Sequence, residues 1–254
     1  MTQETYQHPH VPAGYKHIRG EWDSGFVIRY IKNEFESESE FVWIPVGALR
    51  ADGTQDGVHY DRQFGTRKEL KYSGEPSLKV PEELAGQMES IEKYGGFYMS
   101  RYPVSLDDDG EPCSVARRVP VTMSLRSAVK TARRFEGGPD VSAHLPYAAE
   151  MDTMLAWLVQ TETLTPREIR EAAAVRESRT AGRKMPHACE SHSRERNGFY
   201  DVLSNVDEWT QEQIDEPYLS GCGSGCSFPK TARCYFRPYA CYAFTGFRIA
   251  LRII

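Results

Sequence analysis

Runs rich in β-branched and aromatic residues lie towards both ends of the chain, whereas the clearest helical patterns lie in the middle. GFVIRYI (25–31) and EFVWIPVG (40–47) are separated by a charged stretch, which predicts a β-hairpin with a solvated loop. TGFRIALRII (245–254) predicts a final strand. Because strands and helices are grouped rather than alternating, the sequence predicts an α+β domain with much irregular loop structure in its second half.

The helix with the most complete boundary signals lies in TMSLRSAVKTARRFEGG (122–138). Ser124 is a candidate N-cap, and Gly137 and Gly138 are expected to end the helix. Apolar residues three and four positions apart predict the buried face, namely Leu125, Ala128, Val129 and Ala132. This segment is therefore expected to be a core helix.

Three further segments are expected to be helical. EELAGQMESIEKYGG (82–96) predicts a short helix that ends at Gly95. In LPYAAEMDTMLAWLVQ (145–160) one face is apolar, formed by Met151, Met154, Leu155 and Leu158. Thr165 and Glu168 have the spacing of a capping box, with Pro166 at the first helical position.

Length and composition predict one globular unit with a lead-in. The 254 residues are 40% hydrophobic, which is enough for one sizeable core. We expect residues 1–20 to form a flexible N-terminal arm, residues 21–94 a β-rich lead-in packed on the main domain, and residues 95–254 that domain. No apolar run approaches the roughly 18 residues of a membrane helix, and the first residues do not resemble a secretory signal. The sequence thus predicts a cytoplasmic or virion-associated protein without membrane insertion, and it leaves the oligomeric state open.

The carboxy-terminal stretch differs in charge from the rest of the chain. From Pro217 onwards there are five Lys or Arg residues and no Asp or Glu, whereas the whole chain has a formal charge of −5, which leaves −10 on the remainder. Eight aromatic residues lie between Tyr218 and Phe247. Of these, Phe236, Phe244 and Phe247 are expected to be core residues, and the others predict an exposed cationic, aromatic surface.

Six cysteines raise the alternative of a thiol centre: Cys113, Cys189, Cys222, Cys226, Cys234 and Cys241. In a reducing compartment they are expected to be free thiols, ligands or core residues rather than disulfides. CGSGC (222–226) lacks the spacing typical of zinc sites. HACESH (187–192) offers His187, Cys189 and His192 as metal ligands, and the alternative is an ordinary polar loop.

Four phrases occur in an order that resembles one known group of proteins. They are GGFYMSRYPVS (95–105), SAHLPYAAEMDTMLAWL (142–158), NGFYDVLSNVDEW (197–209) and TGFRIAL (245–251). Together they resemble the formylglycine-generating enzyme, or sulfatase-modifying factor, superfamily. The resemblance implies a C-type-lectin-like fold over about residues 95–254.

The lead-in carries a narrower resemblance. VPAGYKHIRGEWDSGFVIRY (11–30) and FVWIPVGAL (41–49) are similar to the segment before such domains in phage and prophage proteins, including variable proteins diversified by retroelements. In those proteins the stretch before the final GFR contacts ligand. This implies a variable, ligand-binding region at about 217–247 and an unknown protein or cell-surface ligand. The implied contact residues are Tyr218, Phe228, Lys230, Thr231, Arg233, Tyr235, Arg237, Tyr239 and Tyr242.

The same resemblance implies that the chain is not an enzyme. Catalytic members use two cysteines separated by four residues, and the matching positions here are Lys230 and Tyr235. No pair of cysteines in the chain has that spacing. The alternative is a copper-dependent oxidase of peptide cysteine that uses a displaced pair, Cys226 and Cys234.

The resemblance also offers calcium as the one candidate cofactor. In catalytic members the region of NVDEW (205–209) binds a structural calcium, which makes Asn205 and Glu208 the candidate ligands. The alternative is that these side chains satisfy backbone amides of an irregular loop. Two other uses of the cationic stretch stay open: packing on the N-terminal arm or a second subunit, and, less expected on an acidic protein, nucleic-acid binding.

Overall fold

A computed structural model of the protein describes residues 9–31, 38–46, 82–169, 171–172, 186–190, 193–213, 219–223, 235–236 and 245–254. In chain order its elements are β1 (Tyr15–Arg19), β2 (Val27–Tyr30), β3 (Glu40–Pro45), α1 (Glu82–Tyr94), β4 (Gly96–Ser100), β5 (Ser105–Leu106), β6 (Pro112–Cys113), α2 (Leu125–Arg133), β7 (Val141–His144), α3 (Ala148–Gln160), β8 (Asp207–Gln213), β9 (Leu219–Gly223), β10 (Tyr235–Phe236), β11 (Thr245–Gly246) and β12 (Ala250–Ile253). This mixture of helices and sheets confirms the α+β class.

Six antiparallel strands form the main sheet, in the order β1-β2-β3-β4-β12-β7. The predicted hairpin is confirmed, because β2 pairs with β3 through partners such as Val27 and Val42. The sheet also crosses residue 95, the expected start of the main domain, since β3 pairs with β4 along its length. The lead-in and the main domain therefore share one sheet.

Both faces of the main sheet are apolar, and each carries a helix. On β3, Phe41 and Trp43 pack with α2 on one face, while Val42 and Ile44 pack with α3 on the other. The predicted face of α3 is buried, since Met151, Met154, Leu155 and Leu158 are at most 3% exposed. Full burial of each such side chain stabilises the fold by about 1.5–3 kcal/mol. The core is therefore a sheet between two helical layers.

The flexible arm predicted for residues 1–20 is wrong for Tyr15–Arg19, which forms edge strand β1. Tyr15 is buried, and its ring lies 5.1 Å from that of Tyr30 and 6.0 Å from that of Phe41. The remaining four residues of β1 are exposed. A strand with one buried residue at its start has no alternating apolar pattern, which is why the sequence did not indicate it.

The helix boundaries agree with the sequence at most positions. Gly95 follows α1 with φ of +79°, and the Ser124 side chain accepts a hydrogen bond from the Ser127 backbone N–H. The predicted end of α2 at Gly137 is wrong, because the helix ends at Arg133 and Arg134 is its C-cap. The last turn is formed by bonds between residues three apart, since Arg134 N–H donates to Thr131 O at 3.1 Å and Phe135 N–H donates to Ala132 O at 3.2 Å. The Phe135 ring then enters the core.

The capping box before the fourth predicted helix is confirmed. Thr165 N–H donates to Glu168 Oε2 at 2.8 Å, and Glu168 N–H donates to Thr165 Oγ1 at 3.2 Å. Residues 166–169 are helical. No helix of the described residues is long and apolar enough to cross a membrane.

The single final strand predicted for residues 245–254 is wrong. Thr245–Gly246 is β11, which pairs in parallel with β8 in a second, four-stranded sheet of order β10-β9-β8-β11. Ala250–Ile253 is β12 in the main sheet. Residues 247–249 cross between the two sheets, so the end of the chain joins them.

Candidate functional site

A fully buried arginine lies at the crossing between the two sheets. Arg248 Nη1 donates to the carbonyl oxygens of Ser100 and Arg101, each at 2.9 Å, and Nη2 donates to Tyr200 O at 2.6 Å. Its Nε lies 3.1 Å from Oε1 of Glu208. We call these five residues the Arg248 anchor. The anchor connects the end of β4, the NGFY turn, β8 and the final GFR, and its residues come from three of the four phrases, namely 95–105, 197–209 and 245–251.

The charges of the Arg248 anchor are wholly removed from water. The side chains of Arg248 and Glu208 are both 0% exposed. A buried charge is tolerated only when it is paired and hydrogen-bonded, and here the guanidinium has both a carboxylate and three carbonyl acceptors. Removal of either partner would leave the other as an uncompensated buried charge. The anchor therefore fixes the position of β8 relative to the main sheet.

Asn205 and Glu208 do not fit the role of calcium ligands. The Asn205 Oδ1 accepts a hydrogen bond from His187 N–H at 3.0 Å, and its Nδ2 donates to His187 O at 2.9 Å. Asn205 has φ of +69°, a conformation that Asn tolerates better than most residues. Glu208 is the counter-charge of Arg248. For Asn205 the alternative from the sequence, an amide that satisfies backbone groups, describes the observed contacts.

Hydrogen bonds to the backbone also hold the predicted HACESH loop. Cys189 is fully buried, its N–H donates to Arg118 O at 2.9 Å, and its carbonyl accepts from Arg117 N–H at 3.3 Å. His192 lies outside the described residues. Within the described ranges, no group of three or more His, Cys, Asp or Glu side chains could hold a metal ion.

The two cysteines whose side chains are described have the character of core residues. Burial raises the pKa of Cys113 to about 11, and burial likewise raises the pKa of Cys189 well above its ordinary value. A thiol with a raised pKa is neutral near pH 7 and is a poor nucleophile or metal ligand. Both residues are buried free cysteines.

The four-stranded sheet supports the backbone of the cationic, aromatic stretch. Strand β9 runs antiparallel to β8, with Cys222 opposite Glu208, and β10 pairs with β9 through Tyr235 opposite Ser220. Strand β11 returns to the other side of β8, with Gly246 opposite Glu208. The stretch therefore leaves the sheet after β9, rejoins it at β10, and rejoins it again at the opposite edge, β11. We call residues 217–247 the display segment.

The structure describes only part of the predicted contact set. Tyr235 lies on β10. The other eight lie outside the described residues: Tyr218, Phe228, Lys230, Thr231, Arg233, Arg237, Tyr239 and Tyr242. Of the predicted core aromatics, Phe247 is confirmed as fully buried, Phe236 lies on β10, and Phe244 lies outside the described residues. Cys222 lies on β9, whereas Cys226, Cys234 and Cys241 are likewise outside.

Two of the five cations after Pro217 lie outside the display segment. Arg248 is buried against Glu208, and Arg252 lies on β12 in the main sheet. The three remaining cations are Lys230, Arg233 and Arg237. The positive charge of the display segment is therefore carried by residues between β9 and β11 alone.

Sequence reasoning missed a second arginine contact that holds the NGFY turn. Arg101 Nε donates to Gly198 O at 2.8 Å, and Arg101 Nη1 lies 2.6 Å from Glu40 Oε2. Gly198 has φ of +88°, and a Cβ there would lie 3.1 Å from the Val42 side chain. The positive φ and this close approach are physical reasons for a glycine at position 198. The one sequence signal for the contact was an arginine within an otherwise uncharged phrase.

Comparison with known proteins gives distant structural likenesses, including those to two solved structures. No protein-family model and no curated protein matches the sequence. The chain is similar to the solved structure of CarF, with 16% sequence identity, coverage of 67% of this chain and 81% of that chain, and a TM-score of 0.34. It is also similar to PvdO from Pseudomonas aeruginosa, with 10% identity, coverage of 91% and 95%, and a TM-score of 0.37. Both likenesses are weak, so the function proposed below is based on the residues of this chain.

Proposed function

We propose that the protein is a non-catalytic binding protein that presents the display segment to a protein or cell-surface ligand. The observation that carries this proposal is the Arg248 anchor, which holds β8 through Glu208 while β9 and β11 pair on either side of β8. The backbone that leads into and out of the display segment is thus attached to a strand fixed in the core. A rigid support of this kind suits a surface whose residues can be exchanged to bind different ligands.

The chemistry of the display segment suits recognition of a macromolecule. Tyr and Arg are enriched at binding hot spots because each offers a large contact area and directed hydrogen bonds at limited entropic cost. The segment contains both types together with Lys230 and no carboxylate. An interface of about 800 Å² on each partner requires roughly twenty to thirty residues, which a segment of this length can supply.

We further propose that the fold is of the C-type-lectin type found in formylglycine-generating enzymes and that the display segment is diversified by a retroelement. Support comes from the sequence resemblance and from the spatial meeting of its phrases at Arg248. A non-catalytic role is supported by Lys230 and Tyr235 at the positions of the catalytic cysteines. In this proposal the protein is of phage or prophage origin and is cytoplasmic or virion-associated.

The first experiment measures binding by variants of the display segment. A surface library from candidate host cells identifies a partner, and the affinity is then measured for Tyr239→Ala and Arg237→Ala. We expect each substitution to weaken binding by 1 kcal/mol or more, that is about fivefold or more, with unchanged far-ultraviolet circular dichroism. The control Arg117→Ala removes a side chain that is 90% exposed and outside the segment. Unchanged affinity in both variants would contradict the site assignment.

The second experiment tests diversification at the level of the gene. We expect the locus to contain a near-identical template repeat of the last forty or so codons that differs at adenines, next to a reverse-transcriptase frame. A locus with neither feature would leave a binder of fixed specificity.

Copper chemistry tests the alternative of an oxidase. The alternative requires Cu(I) binding and oxidation of a peptide cysteine, both lost in Cys234→Ser. We expect the protein to show no oxidation of a cysteine peptide when Cu(I) is supplied. Turnover that depends on Cys234 would overturn the non-catalytic proposal.

A further inference from the structure

A buried pair of a histidine and a carboxylate lies between the end of β7 and the first turn of α3. His144 is 1% exposed, and its Nε2 lies 3.0 Å from each carboxylate oxygen of Glu150. Glu150 is also fully buried and accepts hydrogen bonds from Gln87 Nε2 at 2.8 Å and from Tyr147 N–H at 2.7 Å. The carboxylate therefore joins β7, α1 and the first turn of α3.

The turn between His144 and α3 is attached to β8. Gln211 N–H donates to Pro146 O at 3.1 Å, and Gln211 Nε2 donates to Leu145 O at 2.6 Å. The same Nε2 lies 2.8 Å from Glu83 Oε2 on α1. Residues 145–147 thus connect the charge pair to the strand on which the four-stranded sheet is built. None of these contacts involves the display segment.

Titratable and charged groups face His144 from each neighbouring element. Glu150 comes from α3 and Glu83 from α1, and both carry negative charge, whereas Arg252 on β12 carries positive charge. Arg133 on α2 is paired with Glu83, with Nε 3.0 Å from Oε1. The ring of Tyr147 lies 5.9 Å from the imidazole. The carboxylates dominate this environment, so it favours an imidazolium at position 144.

We propose that His144 and Glu150 form a pH-sensitive latch that holds the turn 145–147 against β8, so that β8 opens more readily when His144 loses its proton. A deprotonated imidazole leaves Glu150 as a buried carboxylate without its counter-charge, although the hydrogen bonds from Gln87 and Tyr147 remain. The turn is then held less firmly in place. The two hydrogen bonds that it accepts from Gln211 therefore break more readily.

The direction of the pH effect follows from the environment of His144. Burial alone would lower the pKa of His144, but the charge of Glu150 and its hydrogen bond outweigh burial and raise that pKa above the ordinary value of 6.5. A group whose pKa is raised on folding stabilises the folded state fully below its unfolded pKa. That stabilisation is lost as the pH rises through the folded pKa. The latch is therefore closed in mildly acidic solution and weakens in alkaline solution.

Amide hydrogen exchange of Gln211 tests the latch, because its N–H donates to Pro146 O. Protection factors, which are corrected for the intrinsic pH dependence of exchange, are measured from about pH 6 to about pH 9. We expect the protection of Gln211 to fall roughly threefold or more over this range in the wild type and to be independent of pH in His144→Gln. The control His10→Gln removes an exposed histidine outside the cluster and keeps the wild-type dependence.

A second measurement keeps the test decisive if His144→Gln does not fold. The ring of His144 is titrated by nuclear magnetic resonance in the wild type, and its midpoint is compared with the midpoint of the change in Gln211 protection. We expect the two midpoints to coincide above the ordinary value of 6.5. Protection of Gln211 that stays constant while His144 titrates, or that changes at an unrelated pH, would overturn the latch. Neither result depends on whether the display segment binds a ligand.

Discussion

The two large sheets of this protein differ in what supports them. The six-stranded sheet has apolar cores on both faces and a helix on each, whereas the four-stranded sheet is attached to it through β8 by the Arg248 anchor and by Gln211. The first sheet is held by many side chains that are at most a few per cent exposed. The second is held by these polar contacts and by Trp209 of β8, which is fully buried in the core on the α2 face and whose Nε1 donates to Met123 O at 2.8 Å. The comparison teaches that the fold and the proposed binding surface depend on different residues of one chain.

The largest expected effect breaks the connection between the two sheets. Arg248→Met removes the buried cation and leaves Glu208 without its counter-charge, so we expect the free energy of unfolding to fall by about 3–5 kcal/mol. Urea denaturation followed by circular dichroism measures this change. The matched control Arg117→Met, at an arginine that is 90% exposed, is expected to change stability by less than about 0.5 kcal/mol. Similar effects of the two substitutions would contradict the anchor.

A smaller effect is expected at the base of β8, in Asn205→Ala. The substitution removes the side-chain hydrogen bonds to both backbone groups of His187, which are part-buried, and each such bond contributes about 0.5–1.5 kcal/mol. Thermal unfolding of the variant and the wild type is compared with and without a chelator. Because the Asn205 amide bonds the backbone, we expect the chelator to leave both unfolding midpoints unchanged. A wild-type midpoint that falls on addition of chelator would restore the calcium interpretation.

A still smaller effect is expected at the N-terminus of α2. Ser124→Ala removes the N-cap of α2, whose Oγ lies 3.3 Å from Ser127 N, and should cost about 1 kcal/mol. Because Ser124 lies outside the display segment, we expect the loss in urea denaturation without a change in affinity for the ligand. Ser124→Asp serves as the control, because Asp is an equally good N-cap. An affinity that fell with Ser124→Ala would show that the two sheets are not separable in function.

The smallest expected effect on stability lies in the display segment. Arg237→Ala and Tyr239→Ala should each change the free energy of unfolding by less than about 0.5 kcal/mol, the range typical of surface positions. These are the same variants that are expected to weaken binding. A loss of 2 kcal/mol or more in either would place the side chain in the core, as the alternative of packing against the arm or a second subunit requires.

Local signals in the sequence predicted the elements whose contacts are close along the chain. The cap at Ser124, the apolar face of α3 and the capping box at Thr165 each depend on residues three or four positions apart. The arm and the final strand were mispredicted for the opposite reason. Strand β1 is an exposed edge, and residues 245–254 are divided between two sheets by pairing with distant strands.

The buried polar contacts could not be predicted from local patterns. Arg248 reaches Glu208, which is 40 residues away, and Ser100, which is 148 residues away. The phrases that contain these residues were recognised, but a list of phrases does not say which polar groups meet. His144 and Glu150 lie within one phrase, six residues apart. The sequence does not indicate that both side chains are buried and in contact, which the structure shows.

The most direct test of the account randomises the nine predicted contact residues together and measures unfolding and binding of the same variants. Residues of the Arg248 anchor are left unchanged. We expect most variants to retain the cooperative unfolding midpoint of the parent within a few degrees while they lose or change ligand affinity. If most variants instead failed to fold, or folded and bound the ligand as the parent does, the claim that the scaffold folds independently of a binding display segment would be contradicted.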